Sequence, residues 1–540
     1  MKMQPKPPKQ PNPADLQDLH RLFQSGRLPE AETWAQTLLG EFPRAIPLYN
    51  LLGLCQQGQG KLREAAASFR KLLAIDPGIA EIHFNLGAIL TQLGEAKTAI
   101  ASFRKAVQLK PGLTVAHFNL GSLIQAQGFL KEAAQHYRQA LALQPDFLEA
   151  LGNLGTVLQQ QGKLEEAEQC YRNALTIQAD ARGHFNLGTV LYGLGRHQEA
   201  LPEFRKAVDL EPQFADAWNS LGETLRDRGE MEEAVRCYER ALAAQPEHGR
   251  AQYNLGETLC LAGRLQEAIP HFEASDFADS KERALQCLYK TGQFELFSQR
   301  FEQRAAQTRH HSVLLGALST HYATNFGRQN AYRFCKEPMN YVLLTRIDEL
   351  AASGSPLLQS LLQDIRHLAI AERKQGRLYY GMQSAGNLLL RSESSFQQLA
   401  ALIRRKVAEY RQHFAGSREE IIKAFPRRIE FASSWYLRMN QGGYLTSHIH
   451  EEGWISGCVY LKLPEKHEGH EGSFECGTDG DDYPRLHDRF PTRIIDQQVG
   501  DLVLFPSSLF HRTIPFHSDE ERICVAFDVQ PAVSPALTVR

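Results

Sequence analysis

Apolar and small residues recur with a long, regular period through the first half of the chain, and that period ends near residue 280. The dipeptide Leu-Gly returns at Leu52-Gly53, Leu86-Gly87, Leu120-Gly121, Leu154-Gly155, Leu187-Gly188, Leu221-Gly222 and Leu255-Gly256, at spacings of 34, 34, 34, 33, 34 and 34. A glycine follows each (Gly60 to Gly263), then an alanine (Ala65 to Ala268), then an aromatic ring (Phe69, Phe103, Tyr137, Tyr171, Phe204, Tyr238, Phe272). Residues 306–375 carry apolar runs with a period suited to short helices, such as Val342-Leu343-Leu344 with Ile347 and Leu350, and Leu357-Leu358 with Leu361-Leu362. From about residue 376 the signal changes. Arg377 to Ser384 predicts an opening strand. Phe396, Leu399, Leu402, Ile403, Val407 and Tyr410 predict an amphipathic helix, begun by a capping box of Ser394 and Gln397. Trp435–Met439, Trp454–Leu463, Asp501–Phe505 and Arg522–Val529 are short runs rich in β-branched and aromatic residues, separated by turn formers. Such antiparallel strands suggest a jelly roll or double-stranded β-helix.

The period-34 pattern resembles the tetratricopeptide repeat (TPR) family. The resemblance implies two antiparallel helices per repeat. Small Gly and Ala allow close approach, the aromatic ring fills the space between the helices, and a closing proline (Pro77, Pro111, Pro145, Pro212, Pro246) ends the second helix. One repeat cannot bury its own apolar face, so neighbours stack into a superhelix. The expected organisation is a disordered segment 1–13, a TPR solenoid 14–305, a helical connector 306–375 and a β domain 376–535. The clear repeats span 46–280, with degenerate flanking repeats at 14–45 and 281–305. The fourth full repeat is one residue short, with Ala179 in the proline position, which predicts a local change of pitch. Asparagine precedes Leu-Gly at Asn85, Asn119, Asn153, Asn186 and Asn254, while Leu51 and Ser220 depart. A similar asparagine ladder lines the groove of the O-GlcNAc transferase superhelix. An amide both donates and accepts, so a ladder can grip an extended peptide backbone. The bland alternative is that asparagine is simply common at this position of the repeat.

Composition narrows the class. Apolar residues make up 43% and charged residues 23% of 540, as in ordinary soluble globular proteins. A net charge of -2 gives no reason to expect nucleic acid as a partner. The Pro- and Lys-rich start lacks the apolar run of a secretory signal, and no stretch is long enough for a membrane span. Nine cysteines are scattered singly, which reads as reduced thiols in a cytoplasmic protein.

Candidate chemistry sits in three segments: Gly443–Gly457, Gly500–Phe516 and Glu521–Val529. On a strand, residues i and i+2 share a face, so His448 and His450 can project together. His511 lies 63 residues further on. Two close ligands plus one distant histidine is the spacing of a facial triad for non-haem iron(II), which leaves three coordination positions open for 2-oxoglutarate and O2.

These segments resemble the 2OG-Fe(II) oxygenases that often follow TPR arrays, within the superfamily of prolyl and aspartyl hydroxylases. The resemblance covers roughly residues 376–535. It rests on Trp…Gly-Gly…His-x-His…Gly-Trp-Ile-Ser-Gly, on Gly-Asp-Leu-Val-Leu-Phe-Pro-Ser…His…Thr-x-Pro-Phe, and on Arg-x-x-x-Ala-Phe-Asp-Val. It implies a double-stranded β-helix with Fe(II), 2-oxoglutarate and O2, and oxidative decarboxylation coupled to substrate hydroxylation. His448 and His511 are the iron ligands by that resemblance. His450 stands where most of the superfamily has Asp or Glu. Glu452 could supply the missing carboxylate if the strand bulges, or two histidines and water could hold the ion. Arg522 is the expected anchor for the distal carboxylate of 2-oxoglutarate, because its planar fork matches a carboxylate. A surface salt bridge with Glu520 or Glu521 is the bland reading. Arg438 is a second candidate, and Thr513 and Cys524 are candidate pocket-lining residues. His310 and His311 read as a solvated pair. His467, His470 and His487 read as part of a solvated or lid-like loop from Glu465 to Arg489. The implied function is a dioxygenase acting on a protein or peptide side chain recruited by the TPR groove. The alternatives are a small-molecule oxygenase whose repeats serve assembly, and a non-catalytic scaffold.

Overall fold

The computed structural model describes residues 10–307, 311–368, 370–373, 376–466 and 468–532. His310, His467 and the first nine residues of the expected disordered segment lie outside these. The chain divides into two compact units, residues 1–251 and 252–540.

The described residues of the first unit are helical, beginning with a helix at Pro13–Gln24 capped by Asn12. Each repeat is a helical hairpin, for example Leu148–Gln160 with Leu164–Ile177. The period-34 positions explain the packing. A Cβ on Gly155 would lie 2.7 Å from the Tyr171 ring, and one on Gly222 would lie 2.6 Å from the Tyr238 ring. Only glycine lets the two helices of a hairpin close on the aromatic ring. The second glycine of each repeat turns the chain at positive φ, for example 73° at Gly162, where a side chain would be strained. The short fourth repeat is followed by a side-chain cap in place of proline. Asp180 accepts a 2.7 Å hydrogen bond from Gly183 N at the start of the helix Ala181–Gly193.

The second unit continues with helices Leu265–Ala274, Ser280–Lys290, Phe294–Gln307 and Val313–Phe326. It then forms one antiparallel sheet system. Its strands are β1 (Leu343–Arg346), β2 (Glu372–Arg373), β3 (Leu378–Ser384), β4 (Ile429–His448) and β5 (Ile455–Lys462), followed by β6 (Phe474–Gly477), β7 (Thr492–Ile495), β8 (Asp501–Pro506), β9 (Phe510–Thr513) and β10 (Arg522–Pro531). The order is β1-β8-β5-β10-β4-β9-β6-β7, with β3 also on β4 and β2 on β3. The first half of β4 pairs with β10 and its last residues pair with β9. Between them Gly442 takes φ 78°, and a Cβ on Gly443 would lie 2.6 Å from Met439 Cβ. This glycine bend turns β4 from its pairing with β10 to its pairing with β9 and curls the one sheet into a roll.

Three expectations are corrected. The run at Val342–Leu344 is not helical: Leu343–Arg346 is β1, paired with the edge of β8. A run this short cannot be assigned by period alone. The Glu465–Arg489 loop contains β6, which pairs with β7 and β9. The long amphipathic helix starts at Ser394, capped from Glu393 without a side-chain bond, so Ser394 and Gln397 form no capping box. Gln397 instead donates to the Arg391 carbonyl.

Candidate metal centre

Period-two alternation on β10 builds the site. Ile523, Val525, Phe527 and Val529 enter the core that also holds Phe396, Leu399, Ile403, Val407 and Tyr410 of the helix Ser394–His413. Arg522, Cys524, Ala526 and Asp528 therefore share the opposite face. Cys524 and Ala526 belong to the second apolar cluster, with Leu437, Met439, Tyr460, Phe474 and Phe505. Arg522, Cys524 and Ala526 line one cavity with His448, His450 and His511.

The three histidines converge. His448 and His511 are direct partners in the β4–β9 register. His450 lies two residues past the end of β4, yet its Nε2 is 3.2 Å from His448 Nε2. One ring nitrogen of each of the three lies within 4.8 Å of the others. Each Nδ1 is already engaged by oxygen: His448 with Thr446 O at 2.8 Å, His450 with Asp528 Oδ1 at 2.8 Å, and His511 with Leu509 O at 3.3 Å. Those acceptors assign the ring proton to Nδ1, which leaves Nε2 as a lone pair. Lone pairs facing one another repel unless a cation lies between them. The donor set therefore fits a divalent ion that takes imidazole nitrogen.

Burial, with the neighbouring His450 second, pushes His448 down to about 3. Burial also holds His511 well below the ordinary histidine value. Both rings stay neutral in the fold, while in the unfolded chain they take up protons below about pH 6.5. Unfolding thus binds protons as pH falls through 6.5 toward 3, so acid destabilises the metal-free fold. The expected loss is up to about 1.4 kcal/mol per pH unit for each ring. Thermal melts of metal-free protein at stepped pH check this, and His448→Ala should flatten the dependence.

Glu452 is exposed and lines a different surface groove, with Glu451, His311 and Trp454, so the strand does not bulge to bring it inward. Arg522 is 1% exposed. Its Nε donates to Gly472 O at 3.2 Å, one Nη lies 3.3 Å from Cys524 Sγ, and the guanidinium sits over the Tyr460 ring at 5.2 Å. No carboxylate among the described residues pairs with it, which removes the surface-salt-bridge alternative with Glu520 or Glu521. Thr513 is buried and lines the same cavity. Arg438 does not reach it. Leu437 and Met439 face inward on β4, so Arg438 points outward and pairs with Glu372 at 3.1 Å. His311 is half-buried, packing between Phe334 and Trp454 and bonding Gly453 O at 2.9 Å. His487 is likewise part-buried, beside Phe490.

Of the asparagines, Asn85, Asn119, Asn153 and Asn186 are half-exposed on the first helices of their repeats. Asn254 is only 5% exposed, which removes it from any accessible ladder, because a side chain so enclosed cannot meet an incoming peptide. Sequence reading gave no role to Asp528, Trp435 or Phe474. Trp435 and Asp528 stand inside the motifs quoted above and Phe474 outside them, and strand register gathers all three around the histidines.

Residues 433–528 match the family model described as "Putative 2OG-Fe(II) oxygenase". Residues 50–114, 112–179, 146–211 and 213–275 match tetratricopeptide-repeat models. No curated protein matches the chain. Among solved structures, it is similar to YrrB, described as a TPR protein with an unusual peptide-binding site, at 26% identity and TM-score 0.32, covering 34% of this chain and 96% of that one. It is also similar to the MamA protein at 23% identity and TM-score 0.28, covering 34% and 95%. No helix among the described residues is long and apolar enough to cross a membrane.

Proposed function

We propose, for a chain of tetratricopeptide repeats followed by a C-terminal oxygenase domain of the 2OG-Fe(II) type, that it is an Fe(II)- and 2-oxoglutarate-dependent dioxygenase. Its substrate is a protein or peptide side chain held by the repeats. One observation carries the reading: three imidazoles and a buried guanidinium with no carboxylate partner line a single cavity. His448, His450 and His511 would hold the ion. Arg522 would receive the distal carboxylate of 2-oxoglutarate, with Thr513 beside it. Bound there, iron and 2-oxoglutarate supply oxygen activation coupled to decarboxylation, giving succinate and CO2.

The chain's own work is binding, orientation and exclusion of water. The Nδ1 bonds to Thr446, Leu509 and Asp528 aim the ligand lone pairs inward. Leu437, Phe474 and Phe505 line the cavity with apolar surface, which keeps charge interactions strong inside it. The half-exposed Asn85, Asn119, Asn153 and Asn186 would hold the substrate backbone. The odd count of scattered cysteines suits a cytoplasmic setting.

The test loads the full chain with Fe(II) and 2-oxoglutarate without oxygen, adds peptides captured by the same chain, and then admits air. Stoichiometric succinate with one added oxygen atom on a captured peptide supports the reading. Succinate without peptide oxidation points to a small-molecule substrate. No succinate, and no bound iron, overturns the catalytic reading.

A further inference from the structure

The motif residues Gly453, Ser456 and Ser507 take no part in the function argued so far, yet they meet around Asp528. Asp528 is 2% exposed, and its partners follow from register. Ser433 on β4 and Ser456 on β5 are its direct cross-strand neighbours on either side of β10. Ser456 donates to Oδ1 at 2.6 Å and Ser433 donates to Oδ2 at 2.6 Å. The Ser507 hydroxyl lies 2.8 Å from Ser456 Oγ and supports it. The remaining bond to Oδ1 comes from His450 Nδ1 at 2.8 Å. Gly453 seals the nest, because a Cβ there would lie 3.0 Å from Asp528 Cβ and 2.4 Å from Ser507 Oγ.

We infer that Asp528 is the positioning residue of the third ligand. It fixes His450 as the Nδ1–H tautomer, turns its Nε2 toward His448 and His511, and places a carboxylate behind the imidazole. This rests on the reading of the three histidines as metal ligands. The physical logic is general: a carboxylate behind a ligating imidazole sets its orientation and raises its basicity. His450 lies beyond the end of β4, where no strand register holds its ring, so the Asp528 bond and the T-shaped contacts with Trp435 at 5.2 Å and His511 at 4.6 Å orient it. His448 and His511 lie within strands, and their Nδ1 atoms meet backbone carbonyls instead.

The test titrates metal-free full-length protein with Co(II), a redox-inert stand-in for Fe(II), and reads the dissociation constant and the visible d–d spectrum. Asp528→Asn keeps the shape and loses the charge, whereas Asp528→Ala loses both. Cobalt affinity is expected to fall by about 10-fold in the first and 100-fold in the second, with an altered spectrum in both. Asp528→Glu should recover part of the loss. Near-UV circular dichroism monitors folding. Should the alanine variant not fold, nitrogen-15 spectra of histidine-labelled wild type still decide, since the inference requires the His450 ring proton on Nδ1. Wild-type affinity and spectrum in folded Asp528→Asn, or a proton on Nε2, would overturn this inference alone. Wild-type protein that binds no cobalt would overturn the metal reading together with it.

Discussion

His511→Ala is expected to leave a folded protein that neither retains iron nor forms succinate. The ring occupies the middle of the described site: it opposes His448 in the β4–β9 register and stands 4.6 Å from His450, centroid to centroid. Losing one of three ligands should cost about 4 kcal/mol of metal binding, roughly a thousandfold in affinity. His448→Ala should behave alike. Glu452→Ala should change neither metal content nor turnover, because that carboxylate lies on an exposed groove away from the three rings. Metal analysis of freshly purified variants, with circular dichroism as the fold control, measures all of this. A Glu452→Ala protein stripped of iron would reverse the assignment of the third ligand. A His511→Ala protein that kept its iron would remove the site altogether.

Arg522→Met should produce opposite effects on binding and on stability. The guanidinium is buried among Tyr460, Cys524 and Met439 with no carboxylate partner in the described structure. An uncompensated buried charge destabilises a fold, and an apolar side chain of similar length relieves that cost. The metal-free variant is therefore expected to melt no lower than wild type. Removing the partner of a buried carboxylate, in contrast, costs about 3 kcal/mol, so the KM for 2-oxoglutarate should rise by about 100-fold. Arg522→Lys keeps the charge and loses the planar fork, which predicts an intermediate value. Succinate formation against 2-oxoglutarate concentration, beside thermal melts with and without 2-oxoglutarate, gives both quantities. A variant with unchanged KM would exclude Arg522 as the anchor. A large drop in melting temperature would mean that the sulfur and ring contacts hold the domain together.

Much of the architecture could be read from residue order because its causes are local. A period of 34 forces helical hairpins, since the glycine and aromatic positions recur where two helices must touch. The four strongest β runs became β4, β5, β8 and β10 for a similar reason: each alternates or clusters β-branched and aromatic residues. His448, His511 and Arg522 were visible because they stand in motifs that resemble the 2OG-Fe(II) oxygenases.

Other features depend on pairing across long sequence gaps. β1, β6, β7 and β9 span four residues each, too short to show a period, and they exist because a neighbouring edge accepts them. Arg438 looked equivalent to Arg522 in composition, and only the parity of β4 against the core turns it outward. Glu452 and His450 share parity along the chain, but the chain leaves β4 at His448, and tertiary contacts alone decide that the imidazole enters while the carboxylate stays in solvent. Asn254 matches its ladder neighbours letter for letter and is nonetheless enclosed. By itself, then, the sequence determined the repeat, the roll and the kinds of side chain available for chemistry, because helix and strand periods are properties of nearby residues. The folded structure decided which of those side chains meet, and set Asp528 behind His450, because strand register joins residues dozens of positions apart and no local pattern encodes it.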